Sequence, residues 1–283
     1  MEIVEVALAV RTPFDGDGLL EWLEPRAIEG VEVVGARTYA RLLTLPHGVG
    51  AMEVTLHDDR VDARYQLADP ADLDVAVRLS RRLLDLDADP AVIDAVLSED
   101  PLLASLVDRV PGVRLPGQVD GFEVALRAIV GQQVSVARAR TMLGQIAHTR
   151  GREVDLPLAR EHGLTHAFAT AESVAEAPPE EFPMPRARGR AILSVAHAVA
   201  TGELDLGPDA DRETARAGLL AIGGIGPWTA DYFTMRALTH PDVLLDTDLV
   251  LRRVLAREGL DRARTDRWRP WRSYASLHLW RIA

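Results

Sequence analysis

The sequence predicts an α+β protein in which a small antiparallel sheet precedes a region made of helices. Alternating apolar residues and runs of β-branched residues, both typical of strands, occur only in the first part of the chain. From about Pro90 the apolar residues recur with helical spacing, and Pro-Gly or Pro-Pro pairs separate the segments. These observations predict two domains, an acidic α+β domain at residues 1–110 and an all-α domain at residues 111–283.

Three extended segments and two helices make up the predicted N-terminal domain. The strand pattern covers 2–10, then 31–45 with a break near Gly35, and then 50–67 with a hairpin turn at 57–60. Helical patterns cover 16–27 and 72–86. This order predicts an antiparallel sheet with helices packed on one face.

The second domain is predicted from a succession of helical patterns. They cover 90–97, 101–107, 121–148, 164–169, 171–176, 187–200, 212–220, 228–237, 248–256 and 271–282. No strand pattern interrupts them, so we expect this domain to consist of helices alone.

Composition excludes several kinds of chemistry. The 283 residues include no cysteine, which excludes disulfides, thiolate metal sites and a cysteine nucleophile. They also include no lysine, which excludes a lysine Schiff base with a sugar. His240 and His278 lack the spacing of metal ligands, so no metal site built from side chains is expected.

The bulk numbers indicate a soluble protein. Hydrophobic residues make up 47% of the chain and charged residues 27%, which is ordinary for a globular protein. No apolar run approaches the roughly 20 residues that span a bilayer, and glutamates occupy the N-terminus where a signal peptide carries Lys or Arg. We expect a cytoplasmic protein with no membrane partner.

The net charge of −11 is unevenly distributed. Residues 1–110 contain 22 Asp and Glu against 10 Arg, whereas residues 111–283 contain 21 against 22. A surface that binds nucleic acid is therefore plausible only in the second domain. The candidate arginines there are Arg127, Arg138, Arg140, Arg186, Arg188, Arg190, Arg252, Arg253, Arg269 and Arg272.

A glycine-rich turn between two helical patterns is the most informative local feature. The segment 223–227 reads GGIGP and leads into a helix at Trp228. Main-chain amides in such a loop and at the following helix start favour binding of an anion, such as one phosphate of a nucleic-acid backbone. The alternative is a turn that only lets two helices approach. A carboxylate, Asp248, follows about twenty residues later. This order suggests a phosphate-binding site followed by a residue that acts chemically on a nucleotide.

The residues around this turn extend the motif. They follow the pattern LxxIxGIGxWTAxYxxxR from Leu219 to Arg236, and further blocks read RAIVGQQVSVARAR from Arg127 and RWRPWRSYASLHLW from Arg267. In this order the blocks strongly resemble the helix-hairpin-helix DNA glycosylase superfamily, specifically AlkA-type DNA-3-methyladenine glycosylase II. The resemblance covers nearly the whole chain and implies an N-terminal domain like half of TBP, followed by an all-α helix-hairpin-helix domain.

The resemblance implies roles for single residues. Gly224, Gly226, Trp228 and Thr229 match the hairpin that binds a DNA phosphate. Asp248, with Arg253 five residues later, matches the catalytic carboxylate, which stabilises the positive charge that builds on deoxyribose when the bond to the base breaks. The alternative for Asp248 is a helix N-cap, and Asp246 is a rival for that cap.

The resemblance also implies a pocket and a wedge. Trp228, Tyr232, Trp280 and Trp22 match aromatic residues that line the pocket for an everted base. Gln133 takes the place of the leucine wedge that fills the gap in the base stack. Leu249 and Arg281 stand where the family often has aromatic residues.

The same resemblance predicts the type of reaction. Glycosylases that also nick the strand carry a lysine at the position of Trp228, so a monofunctional hydrolase is expected. Missing cysteines exclude the branch with an iron-sulfur cluster. A monovalent cation held by the main-chain carbonyls of Leu220, Ile222 and Ile225 is a further expectation, and no other cofactor is expected.

We therefore expect a base excision repair enzyme that flips alkylated bases such as 3-methyladenine out of double-stranded DNA and hydrolyses their bond to deoxyribose. It would act near the nucleoid and would require no protein partner. One alternative is a non-catalytic DNA-binding or damage-sensing protein. Another is a glycosylase for deaminated or oxidised purines.

Overall fold

The N-terminal part of the chain folds around an antiparallel sheet of five strands. In this computed structural model, which describes residues 2–182 and 184–283, the strands are β1 (Ile3–Ala9), β2 (Glu32–Val34), β3 (Thr38–Leu45), β4 (Gly48–Leu56) and β5 (Arg60–Gln66). Their order across the sheet is β1-β5-β4-β3-β2. The turn between β4 and β5 is closed by the amide of His57, which donates to the carbonyl of Arg60. The predicted break near Gly35 separates β2 from β3.

Helices occupy most of the remaining chain. They are α1 (Gly16–Leu23), α2 (Leu73–Leu83), α3 (Pro90–Leu97), α4 (Pro101–Arg109), α5 (Gly121–Val130), α6 (Val136–Arg150), α7 (Pro157–Glu161), α8 (Ala171–Ala175), α9 (Arg186–Ala200), α10 (Arg212–Ala221), α11 (Pro227–Arg236), α12 (Leu249–Arg257), α13 (Arg262–Thr265) and α14 (Arg272–Trp280). The α+β fold class predicted from the sequence is confirmed. Among the described helices, none is both long and apolar enough to cross a membrane.

The sheet is covered on both faces, so the prediction of helices on one face alone is wrong. Alternate residues of β3 face opposite sides. Tyr39 and Leu43 pack in the cluster that includes residues of α1 and α2, whereas Leu42 packs with Leu158 of α7. The second layer comes from residues near 160, far along the chain, which is why the local pattern did not reveal it.

The predicted single helix at 121–148 is two helices separated by a sharp turn. Helix α5 ends at Val130, and Gln133 adopts a left-handed backbone conformation with φ of 57°. Ser135 then caps α6, because its hydroxyl accepts a hydrogen bond from the amide of Arg138 at 3.2 Å. The apolar pattern continues across the turn, so it concealed the interruption that Gly131 and Ser135 mark.

The predicted helix at 164–169 is also wrong. His166–Ala167 forms a short strand, β7, that pairs with β6 (Arg152–Glu153) in an antiparallel ribbon. In the described residues of the second part of the chain, the regular secondary structure is helical apart from this two-residue pairing. Helix α1 stops at Leu23, earlier than the predicted 27, and one turn of 3₁₀ helix at Glu24–Arg26 follows it.

Two helical clusters complete the molecule and enclose the candidate site between them. One contains apolar side chains of α5, α6 and α8–α11, and the other contains those of α3, α4, α12 and α14. Tyr232 packs against both clusters, and Trp22 of α1 packs against the second. The site therefore lies where α1, α11 and α14 meet.

Candidate functional site

The glycine-rich turn joins α10 to α11 as a tight hairpin. Gly224 has φ of 94°, a conformation that favours glycine, and the amide of Ile225 donates to the carbonyl of Ile222 at 3.1 Å. Gly226 is the N-cap of α11 and has no side chain to accept from the first amides of the helix. These amides and the positive end of the helix dipole make the turn suitable for a phosphate.

A second loop is tied to this hairpin. The side-chain nitrogen of Gln132 donates to the hydroxyl of Thr229 at 2.9 Å and to the carbonyl of Gly224 at 3.2 Å. The neighbouring Gln133 is exposed. Its left-handed backbone is held by the anchored Gln132 on one side and the α6 cap on the other. The turn therefore presents Gln133 beside the hairpin, where a wedge would be needed.

Asp248 is fixed by four N–H donors. Its Oδ1 accepts from the amides of Val250 at 3.0 Å and Leu251 at 2.9 Å, which makes it the N-cap of α12. The indole nitrogen of Trp228 donates to Oδ2 at 3.0 Å, and that of Trp280 donates to Oδ1 at 3.3 Å. The cap role and a role in the site are therefore compatible.

Asp246, the rival for the cap, lies elsewhere. It is exposed and lines a separate polar cavity beside Arg212 and Asp242. Only Asp248 of the two reaches the aromatic residues. Helix α12 consequently begins at Leu249, later than a cap at Asp246 would place it.

The four predicted pocket aromatics form two stacked pairs. Trp22 stacks on Trp280 with ring centroids 5.2 Å apart, and Trp228 stacks on Tyr232 at 5.3 Å. All four line one cavity of about 990 Å³, and Asp248 lines it as well. The structure thus brings together residues from α1, α11, α14 and the start of α12.

The two residues that depart from the family pattern, Leu249 and Arg281, lie in different surroundings. Leu249 is 68% exposed and borders the cavity next to Asp248. Arg281 instead forms an ion pair with Asp15, the N-cap of α1. That pair fastens the end of α14 to the start of α1 and thereby supports the Trp22–Trp280 stack.

Polar residues that were not predicted as site residues form the inner wall. Arg26 lies over the Trp22 ring at 3.8 Å, Arg236 donates to the Tyr232 hydroxyl at 3.1 Å, and Gln118 lines the same cavity. Burial raises the pKa of the Tyr232 phenol, but Arg236 and Arg26 outweigh that effect and lower it. Arg236 was visible within the hairpin pattern, whereas nothing local marked Arg26 or Gln118.

A buried charge network connects the sheet to the pocket. Arg41 of β3 pairs with Glu123 of α5 at 2.7 Å and with Glu32 of β2 at 3.3 Å. Arg127 pairs with both of these glutamates and lines the cavity. The two guanidiniums compensate the two carboxylates, as burial of charge requires. The N-terminal domain therefore builds part of the pocket wall.

The arginines proposed as a nucleic-acid surface divide into two groups. Arg127 is buried in the charge network, and Arg269 and Arg272 both pair with Asp242. The guanidinium groups of these three arginines are therefore already paired with carboxylates. Of the remaining seven, Arg188 is half-buried, and the other six, Arg138, Arg140, Arg186, Arg190, Arg252 and Arg253, are exposed.

The two histidines singled out in the sequence do not line the cavity that contains Asp248. His240 accepts a hydrogen bond from the amide of Asp242 at 3.0 Å, and His278 is buried within α14. In the described part of the chain, the cluster with ligand atoms close enough for a metal is Glu53, Glu161 and His162. Arg64 already pairs with both of these glutamates.

Comparisons with known proteins agree with this arrangement. A family model of the AlkA N-terminal domain matches residues 5–120. A probable bifunctional transcriptional activator and DNA repair enzyme AlkA of Mycobacterium tuberculosis is 41% identical over 98% of this chain. The chain spans 56% of the length of that relative, or about half.

Two further proteins match over nearly their whole length. DNA-3-methyladenine glycosylase 2 of Escherichia coli is 33% identical over 95% of this chain and 94% of that protein. The structure of a 3-methyladenine DNA glycosylase from Archaeoglobus fulgidus superposes with a TM-score of 0.80 at 21% identity, covering 99% of this chain and 97% of that one. The shared fold, the N-terminal domain match and the identity to the Escherichia coli protein show that this chain belongs to the AlkA family of DNA-3-methyladenine glycosylases.

Proposed function

We propose that the protein is a monofunctional DNA glycosylase of base excision repair. It everts an alkylated base, 3-methyladenine or a related lesion, from double-stranded DNA and hydrolyses the bond to deoxyribose. The observation that carries this proposal is the position of Asp248 on an aromatic-lined cavity next to the hairpin. A phosphate held by the hairpin amides brings the adjoining nucleotide to that carboxylate.

Asp248 supplies the charge that the reaction needs. Departure of the base leaves positive charge on the sugar, and a carboxylate near that carbon stabilises it and orients the attacking water. Among the described contacts, Oδ2 accepts one hydrogen bond, from Trp228, and so keeps acceptor capacity for water or the sugar. The N-cap bonds hold the carboxylate in place before substrate binds.

The remaining predicted residues complete the proposal. The stacked pairs of Trp22 with Trp280 and Trp228 with Tyr232 bind the everted base, because π faces attract a cationic alkylated purine. Gln133 fills the gap left in the duplex. The absence of lysine from the sequence supports hydrolysis without strand nicking.

Three accompanying expectations belong to the same proposal. The protein acts in the cytoplasm at the nucleoid and needs no protein partner. A monovalent cation is held by the carbonyls of Leu220, Ile222 and Ile225, where it would add positive charge beside the phosphate. The Ile222 carbonyl accepts one hydrogen bond within the turn, which leaves a second lone pair for such an ion.

Product analysis with an Asp248 variant tests the proposal. Wild-type protein should release free 3-methyladenine from alkylated duplex DNA and leave abasic sites without strand breaks. Asp248→Asn keeps an N-cap acceptor but removes the charge, so its rate should fall by roughly 10²–10³-fold while duplex binding persists. Equal rates for the two proteins would overturn the catalytic assignment. Binding to damaged DNA without release by wild type would instead support a damage-sensing protein.

One observation favours a second candidate function, the release of deaminated or oxidised purines. In the part of the chain that the structure describes, neither Arg26 nor Arg236 has a carboxylate partner within 4.0 Å. Such guanidiniums at the inner wall suit a neutral base that carries an oxygen and departs with negative charge. Chromatography of products from duplexes containing hypoxanthine or 8-oxoguanine tests this function.

A further inference from the structure

Gln118 stands on a rigid backbone at the inner wall of the pocket. Arg236 donates to the carbonyls of Pro116 and Gly117, and the Gly117 amide donates to the Leu83 carbonyl at 2.9 Å. A Cβ on Gly117 would lie 2.2 Å from the carbonyl oxygen of Arg82, so only glycine fits there. The chain entering Gln118 is therefore held from several sides.

The side chain of Gln118 has an unused acceptor. The residue is 8% exposed, and its Oε1 is buried without a hydrogen-bond partner in the described structure. Gln118 lines the cavity that Asp248 and the stacked aromatics line. A buried polar atom without a partner costs free energy, so an unpaired acceptor on a ligand cavity indicates a group that a ligand satisfies.

The other polar groups of the inner wall are mainly donors. Arg26 and Arg236 carry only N–H groups, and the buried indole nitrogen of Trp22 also lacks a partner. Glu32 also lines the cavity, but its Oε1 already accepts from Arg41 and Arg127. Oε1 of Gln118, which has no partner among the described residues, is therefore an acceptor available to an N–H group of a base. Adenine carries an amino group at C6, whereas guanine and deaminated adenine carry an oxygen there.

We infer that Gln118 is a specificity-determining residue that accepts a hydrogen bond from the C6 amino group of an everted adenine-type base. This inference rests on the proposed glycosylase function and names the edge of the substrate that the pocket recognises. A base with an oxygen at C6 presents an acceptor to Oε1, so that neither the C6 oxygen nor Oε1 receives a hydrogen bond. The protein should therefore prefer 3-methyladenine to 3-methylguanine, which has the same methyl position and the same positive charge.

Methylated duplex DNA provides both bases in one reaction, so their release ratio is measured under identical conditions. The two bases differ along one edge, at C6, at N1 and by the C2 amino group of guanine, and a Gln118 variant reports on that edge by changing the ratio. Gln118→Leu removes the acceptor at similar volume and should lower release of 3-methyladenine relative to 3-methylguanine by about tenfold or more. Gln118→Glu keeps an acceptor at the same reach and should retain the preference for 3-methyladenine. Gln133→Leu, at the wedge position, serves as the matched control and should change both rates by the same factor.

The outcomes separate this inference from the function on which it depends. If wild type releases neither base, the proposed function fails. If wild type releases 3-methyladenine and Gln118→Leu keeps the wild-type ratio, the inference alone is overturned. A wild-type preference for 3-methylguanine that Gln118→Glu reverses would also overturn it, because the amide nitrogen of Gln118 would then be the group that contacts the base. Binding to a duplex with an abasic-site analogue, which has no base, should be equal in all Gln118 variants and shows that they are folded.

Discussion

At the scale of single residues, the indole rings of Trp228 and Trp280 have two functions. Each ring lines the cavity, and each indole N–H donates to the Asp248 carboxylate. The sequence resemblance predicts only the first function. Hydrogen bonds to a charged acceptor are stronger than neutral ones, so these two rings position the carboxylate as well as line the cavity.

Removing one indole N–H should affect turnover more than binding. Trp228→Phe keeps an aromatic ring but loses the bond to Oδ2, so kcat should fall roughly ten- to a hundred-fold with little change in KM. Single-turnover release of 3-methyladenine measures both parameters. Trp271→Phe is the matched control, because Trp271 packs on Tyr274 outside the cavity and its variant should keep wild-type kcat. An unchanged kcat for Trp228→Phe would show that the other three donors suffice.

At the scale of elements, the turn between α5 and α6 carries functional strain. Gln133 has φ of 57°, a region that costs a residue with a side chain about 1 kcal/mol or more. The turn persists because Gln132 bonds to the hairpin and Ser135 caps α6. Strained backbone of this kind is found where a side chain must project toward a ligand.

Relief of this strain should stabilise the protein and impair its action on duplex DNA. Gln133→Gly should leave the free energy of unfolding unchanged or raise it by up to about 1 kcal/mol, because glycine adopts this φ without penalty. The same variant should excise base more slowly from duplex DNA. Urea denaturation and excision rates measure the two effects. Gln133→Asn, which tolerates the conformation and keeps an amide, should be closer to wild type, and a fully active glycine variant would exclude the wedge role.

At the scale of the whole molecule, buried ionisable groups that do not line the cavity couple stability to pH. Burial lowers the pKa of His278 in α14 to about 4, and nearby Arg281 adds to this shift. Burial raises the pKa of Asp85 to about 6, although bonds from the Leu115 amide and the Tyr274 hydroxyl oppose the shift. The two groups therefore influence the free energy of unfolding in opposite directions.

The sign for His278 follows from the unfolded chain, where histidine titrates near 6.5. As pH falls from about 6.5 toward 4, the imidazole binds a proton in the unfolded state but not in the folded state, so the free energy of unfolding decreases. Asp85 stabilises the folded state at low pH and loses that contribution as pH rises through about 6. Between pH 6 and 4 the two effects partly cancel in the wild type.

Replacing His278 should remove its effect on the pH dependence of stability, so that the opposite effect of Asp85 remains. The free energy of unfolding of His278→Gln, relative to wild type, should rise by up to about 2–3 kcal/mol between pH 7.5 and pH 4.5. Urea denaturation at pH 7.5, 5.5 and 4.5 measures this difference. A constant difference for His278→Gln would mean that its imidazole binds a proton as readily in the folded protein as in the unfolded chain.

The α+β class, the strands of the first domain and most helices are predicted from local patterns in the sequence, namely alternation and helical spacing. The grouping of Asp248 with four aromatic residues in one candidate site is predicted by the resemblance to the glycosylase family, which the glycine turn followed by Trp228 helps to reveal. At 121–148 the local pattern gave the wrong prediction of a single helix, because helical periodicity continued across a turn.

The surroundings of those residues follow from tertiary packing and could not be predicted from local patterns. The inner wall combines Arg26, Gln118 and Arg236, which lie far apart in the chain, and a buried charge network joins the acidic first domain to it. Whether Arg127 faces DNA or a buried glutamate depends on packing between distant elements, and no local pattern records such packing. The packing of α7 on the second face of the sheet was missed for the same reason, since α7 follows β3 by more than a hundred residues.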